Sequence, residues 1–204
     1  MKRFTLWCAA MALPLLAACS FSLIPQSDFT ETRTFDLAAP EALGELPFIV
    51  DVDAFSSECA GRFKMAFRED ANRIVVDEFN RWSMPPGAML TKYLGARFAA
   101  QSGNHERDGK PVFELDGSVL NCELDKTKKQ VDLMVHFFII EHGNDAFRIT
   151  GTEDYAIPVD DTSAEAFGDG LGKAAAEFAG HVVSILTNEL KMRASETKGE
   201  PEKK

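Results

Sequence analysis

The sequence predicts an α/β chain of the α+β kind: a single mixed, largely antiparallel sheet of about seven strands packed with two main helices. Three observations predict it. Short runs with two-residue alternation, such as Phe63, Met65 and Phe67 against Lys64, Ala66 and Arg68, recur along the chain with turn residues between them. Two stretches change to helical spacing, one through Met89, Leu90, Tyr93, Leu94 and Phe98, the other through Phe167, Leu171, Ala175, Phe178, Val182, Ile185, Leu186 and Leu190. Residues 131–140 are apolar on both faces apart from Asp132 and His136, which marks a central strand.

Taken in order, the chain starts with a leader. Lys2 and Arg3 precede an apolar run over residues 4–16, and Leu16-Ala17-Ala18-Cys19 closes it with small residues before a cysteine. A charged start, a short apolar core and a small-residue exit form a secretory signal. The run falls short of the ~20 apolar residues that a membrane-spanning helix needs. Its ending resembles the bacterial lipobox, which implies cleavage after residue 18, acyl chains on Cys19 and membrane attachment through those chains. By the same resemblance, Ser20 in place of aspartate implies the outer membrane of a Gram-negative envelope, with the chain facing the periplasm. Residues 19–30, interrupted by Pro25, read as a lipidated tether with a reach of roughly 18 Å.

Residues 34–37 predict a short first strand. Residues 48–55 predict a second, with Phe48, Val50 and Val52 in phase and Asp51 and Asp53 on its other, solvated face. A hairpin follows, turning at Glu69-Asp70-Ala71-Asn72 and returning through β-branched Ile74, Val75 and Val76. Ser83 is placed to cap the first helix, with Pro85 and Pro86 in the opening turn, where a missing N–H costs nothing. Residues 101–110 read as a surface loop. In residues 112–124 the apolar phase moves from Phe113, Leu115 and Val119 to Leu120, Cys122 and Leu124, so Gly117 is expected at a bulge. Turns at residues 126–129 and 141–145 flank the central strand, and residues 147–157 return with a polar outer face. Thr162-Ser163-Ala164-Glu165 has the capping-box pattern that opens the last helix, where Gly168, Gly170 and Gly172 are expected to allow close packing against the sheet. Residues 31–191 thus make one globular domain, and residues 192–204, charged and carrying Pro201, a disordered tail.

Arg73-Ile74, then Phe79-Asn80-Arg81-Trp82, then Pro85-Pro86 with Met89-Leu90, all behind a lipoprotein leader, resemble the ABC-type transport auxiliary lipoproteins. This is the PqiC-like family that accompanies MCE-domain lipid-transport systems. The likeness covers residues 33–190 and departs from the family at Phe35, where tyrosines are usual. It implies a lipid-anchored periplasmic component of an ABC/MCE-type envelope transport system, active in lipid trafficking through protein contact. It implies an MCE-domain protein or the ABC transporter as partner, and Arg81, Trp82 and Pro85 as its signature junction. Trp82 there either closes a core corner or faces a partner, and a tryptophan between strand and helix favours the corner.

Charge excludes other classes. The chain has 22 basic and 32 acidic residues, and loss of Lys2 and Arg3 with the leader takes its net charge from −10 to −12. Nucleic acid is not a partner for such a chain, and without a polybasic cluster beside the anchor, anionic headgroups do not hold it. There is no Gly-x-Ser-x-Gly, no HExxH and no paired metal-binding cysteines. His105-Glu106 lacks a second histidine, Asp51 and Asp53 lack completing ligands, and the 168–173 glycines have neither phosphate-loop spacing nor its strand-to-helix setting. No enzyme, catalytic residue, metal or cofactor is expected; the alternative is a stand-alone carrier or chaperone for an apolar ligand. With Cys8 and Cys19 set aside, Cys59 and Cys122 are left either as a disulfide, worth on the order of 4 kcal/mol for so long a loop, or as two buried thiols.

One surface question stays open in the sequence. Met134, His136, Phe138 and Ile140 face away from Leu133, Val135, Phe137 and Ile139. Two helices about 10 Å across cannot cover one face of a sheet roughly 30 Å wide. Either the helices take opposite faces and bury both sets, or the set they leave is a contact surface for a second copy or a transport partner.

Overall fold

The computed structural model describes residues 30–99 and 109–199. The leader, Cys19, most of the tether, and His105-Glu106 lie outside them. Among the described residues the strands are β1 (Arg33–Phe35), β2 (Ile49–Ser57), β3 (Lys64–Asp70), β4 (Arg73–Trp82), β5 (Val112–Asp125), β6 (Gln130–Glu141) and β7 (Asn144–Pro158). Helix α1 (Pro86–Phe98) separates β4 from β5, and α2 (Ala164–Gly199) follows β7.

The sheet is mixed and built around β5. One edge of β5 is shared: its first part pairs in parallel with β2, from Ile49↔Val112 to Ser57↔Val119, and its last residues pair in parallel with β3, at Phe67↔Leu124 and Arg68↔Asp125. Its other edge opens the antiparallel meander β5–β6–β7. The path runs β1-β4-β3-β5-β6-β7, with β2 beside β5 off that path. β1 closes the far edge in parallel with β4, from Arg33↔Asn80 to Phe35↔Trp82.

Both helices sit on one face. Leu133, Val135, Phe137 and Ile139 are at most 1% exposed and share a single core with Met89, Leu94 and Phe98 of α1 and Phe167, Phe178 and Val182 of α2. Phe178 takes ring edges from Phe55 and Phe137 at 6.0 and 5.6 Å, and Phe167 from Phe67 and Trp82 at 5.7 and 4.9 Å. Edge-to-face pairs at these spacings add to area burial. Burial of both sets on β6 by helices on opposite faces is therefore excluded: Met134, His136, Phe138 and Ile140 are only half-buried, on the uncovered side.

Several local expectations are corrected. Ser83 does not cap α1; Pro85 holds the N-cap position without a side-chain bond, Pro86 opens the helix, and the Gly87 N–H donates instead to Ser57 Oγ of β2 at 2.7 Å. A Cβ on Gly87 would collide with the Ser56 and Phe55 carbonyls, so glycine is what lets α1 approach β2 this closely. The bulge in β5 falls between Val119 and Asn121, not at Gly117. Gly117 is a close approach, with the His136 carbonyl and the Phe55 ring occupying the space of a Cβ. The α2 cap is Ser163, whose Oγ accepts the Ala166 N–H at 3.1 Å, one residue beyond the expected Thr162. Glu165 pairs with Arg33. Gly170 does pack closely, on Val131 and Val159, but nothing lies within 4 Å of a Cβ built on Gly168 or Gly172.

Of the charged segment 192–204 expected to be a disordered tail, residues 192–199 are helical, and residues 200–204 lie outside those described. Arg193 ties the start of this stretch to the sheet. It bonds Glu189 one turn back at 2.9 Å and Glu141 at the end of β6 at 2.8 Å, and lies 4.5 Å over the Phe147 ring.

The β5–β6 turn is held by a buried carboxylate. Asp125 is 1% exposed, and its Oδ1 accepts the Thr127 N–H, the Thr127 hydroxyl and the Lys128 N–H at 2.9, 2.6 and 3.0 Å. Burial pushes this carboxyl upward, but the bonds from Thr127 and Lys128 outweigh it and bring it from 3.8 to about 2. An acid depressed on folding contributes stability above its unfolded pKa and loses it as pH falls through the folded one. Asp125→Ala is expected to cost about 2 kcal/mol at neutral pH. Urea denaturation at pH 7, 4 and 2 checks this, with the gap between variant and parent closing across the acid window.

Candidate functional site

The uncovered face is organised by the register of β5, β6 and β7. Glu114, Ile140 and Arg148 form one cross-strand row, and Asp116, Phe138 and Thr150 the next. Then come Ser118, His136 and Thr152, followed by Asn121, Met134 and Asp154. Because side chains alternate along a strand, the β6 members line up as a ridge about 20 Å long down the middle of the face. The ridge is ordered by its own contacts. His136 Nδ1 lies 2.8 Å from Thr152 Oγ1, and its ring meets Phe138 edge-on at 4.7 Å. His136 is thus a positioned, half-buried histidine of the face away from the helices.

Acids flank the ridge on the β2 side. Asp51 is in register with Glu114, and Asp53 shares a hydrogen bond with Glu114. That bond, then burial, then the charges of Asp53 and Asp116 push the Glu114 carboxyl above its ordinary range, against the opposing pull of His142 at 3.5 Å. Asp132 lies at the ridge's end and is also raised, by burial. Glu123, 3% exposed, is different: Arg68 neutralises it with two bonds, at 2.6 and 3.0 Å.

The signature junction lies elsewhere and holds a corner. Trp82 is 3% exposed, donates its backbone N–H to the Phe63 carbonyl at 2.6 Å and lies beside Phe35 of β1. The Pro85 carbonyl receives the Met89 N–H, while the Arg81 side chain is exposed. Just before it, β4 gains extra residues relative to β3. Asp77 Oδ1 accepts the Phe79 and Asn80 N–H groups at 2.7 and 3.0 Å, and its Oδ2 accepts Asn80 Nδ2 at 2.7 Å. Asn80 in turn accepts from Arg33 Nε, and Phe79 is left 45% exposed. The motif therefore reads as a capped bulge followed by a core-closing tryptophan.

Cys59 and Cys122 are free thiols, the second fully inside the core and the first packed against it. Burial raises both, Cys122 well above its usual range, so neither is a thiolate at neutral pH. Among the described residues no His, Cys, Asp and Glu group is placed to hold a metal, and no helix is long and apolar enough to cross a membrane. An open groove of about 600 Å³ runs between residues 35–40, Tyr93 and the glycine-bearing start of α2. Asp36, Glu165, Asp169 and Lys173 line it.

Sequence reasoning found the ridge but not its acidic flank. No motif marks Glu114 and Asp116, and Asp51 and Asp53 read from the sequence only as solvated. The signal was available in their parity, since Asp51 opposes the Val50 and Val52 phase and Glu114 and Asp116 oppose Phe113 and Leu115.

The ABC-type transport auxiliary lipoprotein component family matches residues 55–183, well over half of the chain. No curated protein matches the sequence. The fold is that of a crystal structure from Xanthomonas campestris, with a TM-score of 0.60, 13% identity, and 79% of this chain and 99% of that one covered. A second crystal structure, of an uncharacterised protein, gives a TM-score of 0.57 at 10% identity, covering 76% of this chain and 99% of the other. From residue 55 in β2 to residue 183 in α2, the match takes in the bulge, the tryptophan corner and the central meander, and the chain belongs to the ABC-type transport auxiliary lipoprotein component family.

Proposed function

We propose that the protein is a lipid-anchored, periplasm-facing auxiliary component of an ABC/MCE-type envelope transport system, acting in lipid trafficking by protein contact and not by catalysis. The observation that carries this reading is the ridge of Met134, His136, Phe138 and Ile140, held half-buried on a sheet face that neither α1 nor α2 covers. Apolar bulk ordered on an uncovered face is the mark of an interaction surface. The lipobox at Cys19 and the Ser20 that follows support attachment at the outer membrane, where the tether keeps the domain near the bilayer. A stand-alone carrier is the weaker reading, because the groove beside α2 is open and lined by four charged side chains.

Phe138→Asp separates the readings. Its position outside the core predicts a folded protein, with a loss of about 1 kcal/mol for an acid on a strand. Co-purification with the MCE-domain or ABC components after mild cross-linking should be lost. Normal co-purification and transport by a folded Phe138→Asp protein would remove the contact role of this face.

A further inference from the structure

Building on the contact reading, we infer that the partner surface seated on this face is a protein segment with lysine or arginine side chains beside an aliphatic strip. The face carries Asp51, Asp53, Glu114 and Asp116 along one side of the ridge and Asp132 and Asp154 at its far end. Against these stand the exposed Arg148, His142 beside Glu114, and Lys128, which is paired with Asp125 at 3.4 Å and whose charge also reaches Asp132. Arg68 is spent on Glu123 and offers the face no free cation. The acids are also crowded, since Asp53 and Glu114 hold one hydrogen bond between them and Asp116 adds to the same field. A cation arriving there relieves repulsion that the free protein carries, and its attraction strengthens as the apolar ridge excludes water.

Charge also decides among occupants. A second copy docked about a two-fold axis across the strands would bring like-charged patches together in a desolvated contact, and one docked about an axis along the ridge would set these acids against the cation-poor β7 side. Anionic lipid headgroups are repelled for the same reason. A basic protein segment satisfies both parts of the face: aliphatic side chains along the roughly 20 Å ridge, and cations toward the β2 edge.

The experiment uses the full-length lipoprotein in its own membranes, with the photo-crosslinker benzoylphenylalanine in place of exposed Thr150, the cross-strand neighbour of Phe138. The adduct yield is read at about 0.05 and 0.5 M salt. It is then read in the Asp51→Asn/Asp53→Asn/Asp116→Asn protein, whose fold is followed by its melting temperature. The expected result is a heterologous protein adduct whose cross-linked peptides carry Lys or Arg, with yield falling about tenfold in high salt and in the neutralised variant. A heterologous adduct indifferent to both salt and neutralisation would overturn the charge inference while leaving the contact reading intact. An adduct of two copies of this chain, or of lipid alone, would also overturn it. Absence of any adduct, together with normal transport by Phe138→Asp, would remove the contact reading itself.

Discussion

Trp82→Ala is expected to lose about 4 kcal/mol and to lower the melting temperature by about 10 °C, while Arg81→Ala beside it stays within about 0.5 kcal/mol. The indole is 3% exposed and meets Phe167 of α2 at 4.9 Å, so its removal opens a cavity at the start of the long helix. Its backbone also joins three strands: Phe35 of β1 is its register partner, the Phe63 carbonyl before β3 accepts its N–H, and the next N–H, of Ser83, donates to the Phe35 carbonyl. Little nearby can collapse into the space, because Phe167 is already held by Phe67 at 5.7 Å. Urea denaturation of both variants checks the contrast. An unchanged melting curve for Trp82→Ala together with lost partner retention would show that the tryptophan serves recognition instead.

Arg68→Ala is expected to cost about 3 kcal/mol, through the charge it leaves behind. The Glu123 side chain is 4% exposed and Arg68 supplies a two-pronged bond to it across the β3–β5 pairing. Without the guanidinium, Glu123 must hold an uncompensated negative charge beside Asp132 and Asp125, or take up a proton. Replacing both partners by apolar side chains of similar size removes that difficulty. Arg68→Met/Glu123→Met should therefore recover most of the loss, and a double-mutant cycle measures it. If the double variant is no more stable than Arg68→Ala, the single loss comes from the arginine's packing and not from the stranded acid.

How much of this was legible in the sequence depends on how local the cause was. The hairpin at residues 69–72, both helical stripes and the central character of β6 follow from periodicity, and all are present. The α1 cap was not legible, because the oxygen that serves it, Ser57 Oγ, is 30 residues away in sequence and reaches Gly87 only once β2 lies under the helix. Gly117 looked like a bulge because a phase change lay close by, yet the extra residue is at Leu120 and the glycine answers to the Phe55 ring and the neighbouring strand. Alternation on β6 announced two apolar faces but not which lay under the helices, since that depends on where both helices land. Parity places each acid of the flank off the core face, but that they meet is not legible for a related reason: they come from β2 and β5, whose parallel register no local pattern reveals.

The shared edge of β5 also sets an order of assembly. Ile49 must wait for Val112, 63 residues later, and Phe67 for Leu124, 57 residues later, before either β2 or the β3–β4 hairpin, with β1 beside it, joins the rest of the sheet. The second half has no such delay, because β5, β6 and β7 are joined by tight turns and α2 follows directly to cover them. Local pairings form quickly, whereas parallel ones across long loops must first meet the entropy of closing them. β2 and the β3–β4 hairpin thus carry the longest loops to close, and the strand that each closes onto, β5, belongs to the later half of the chain.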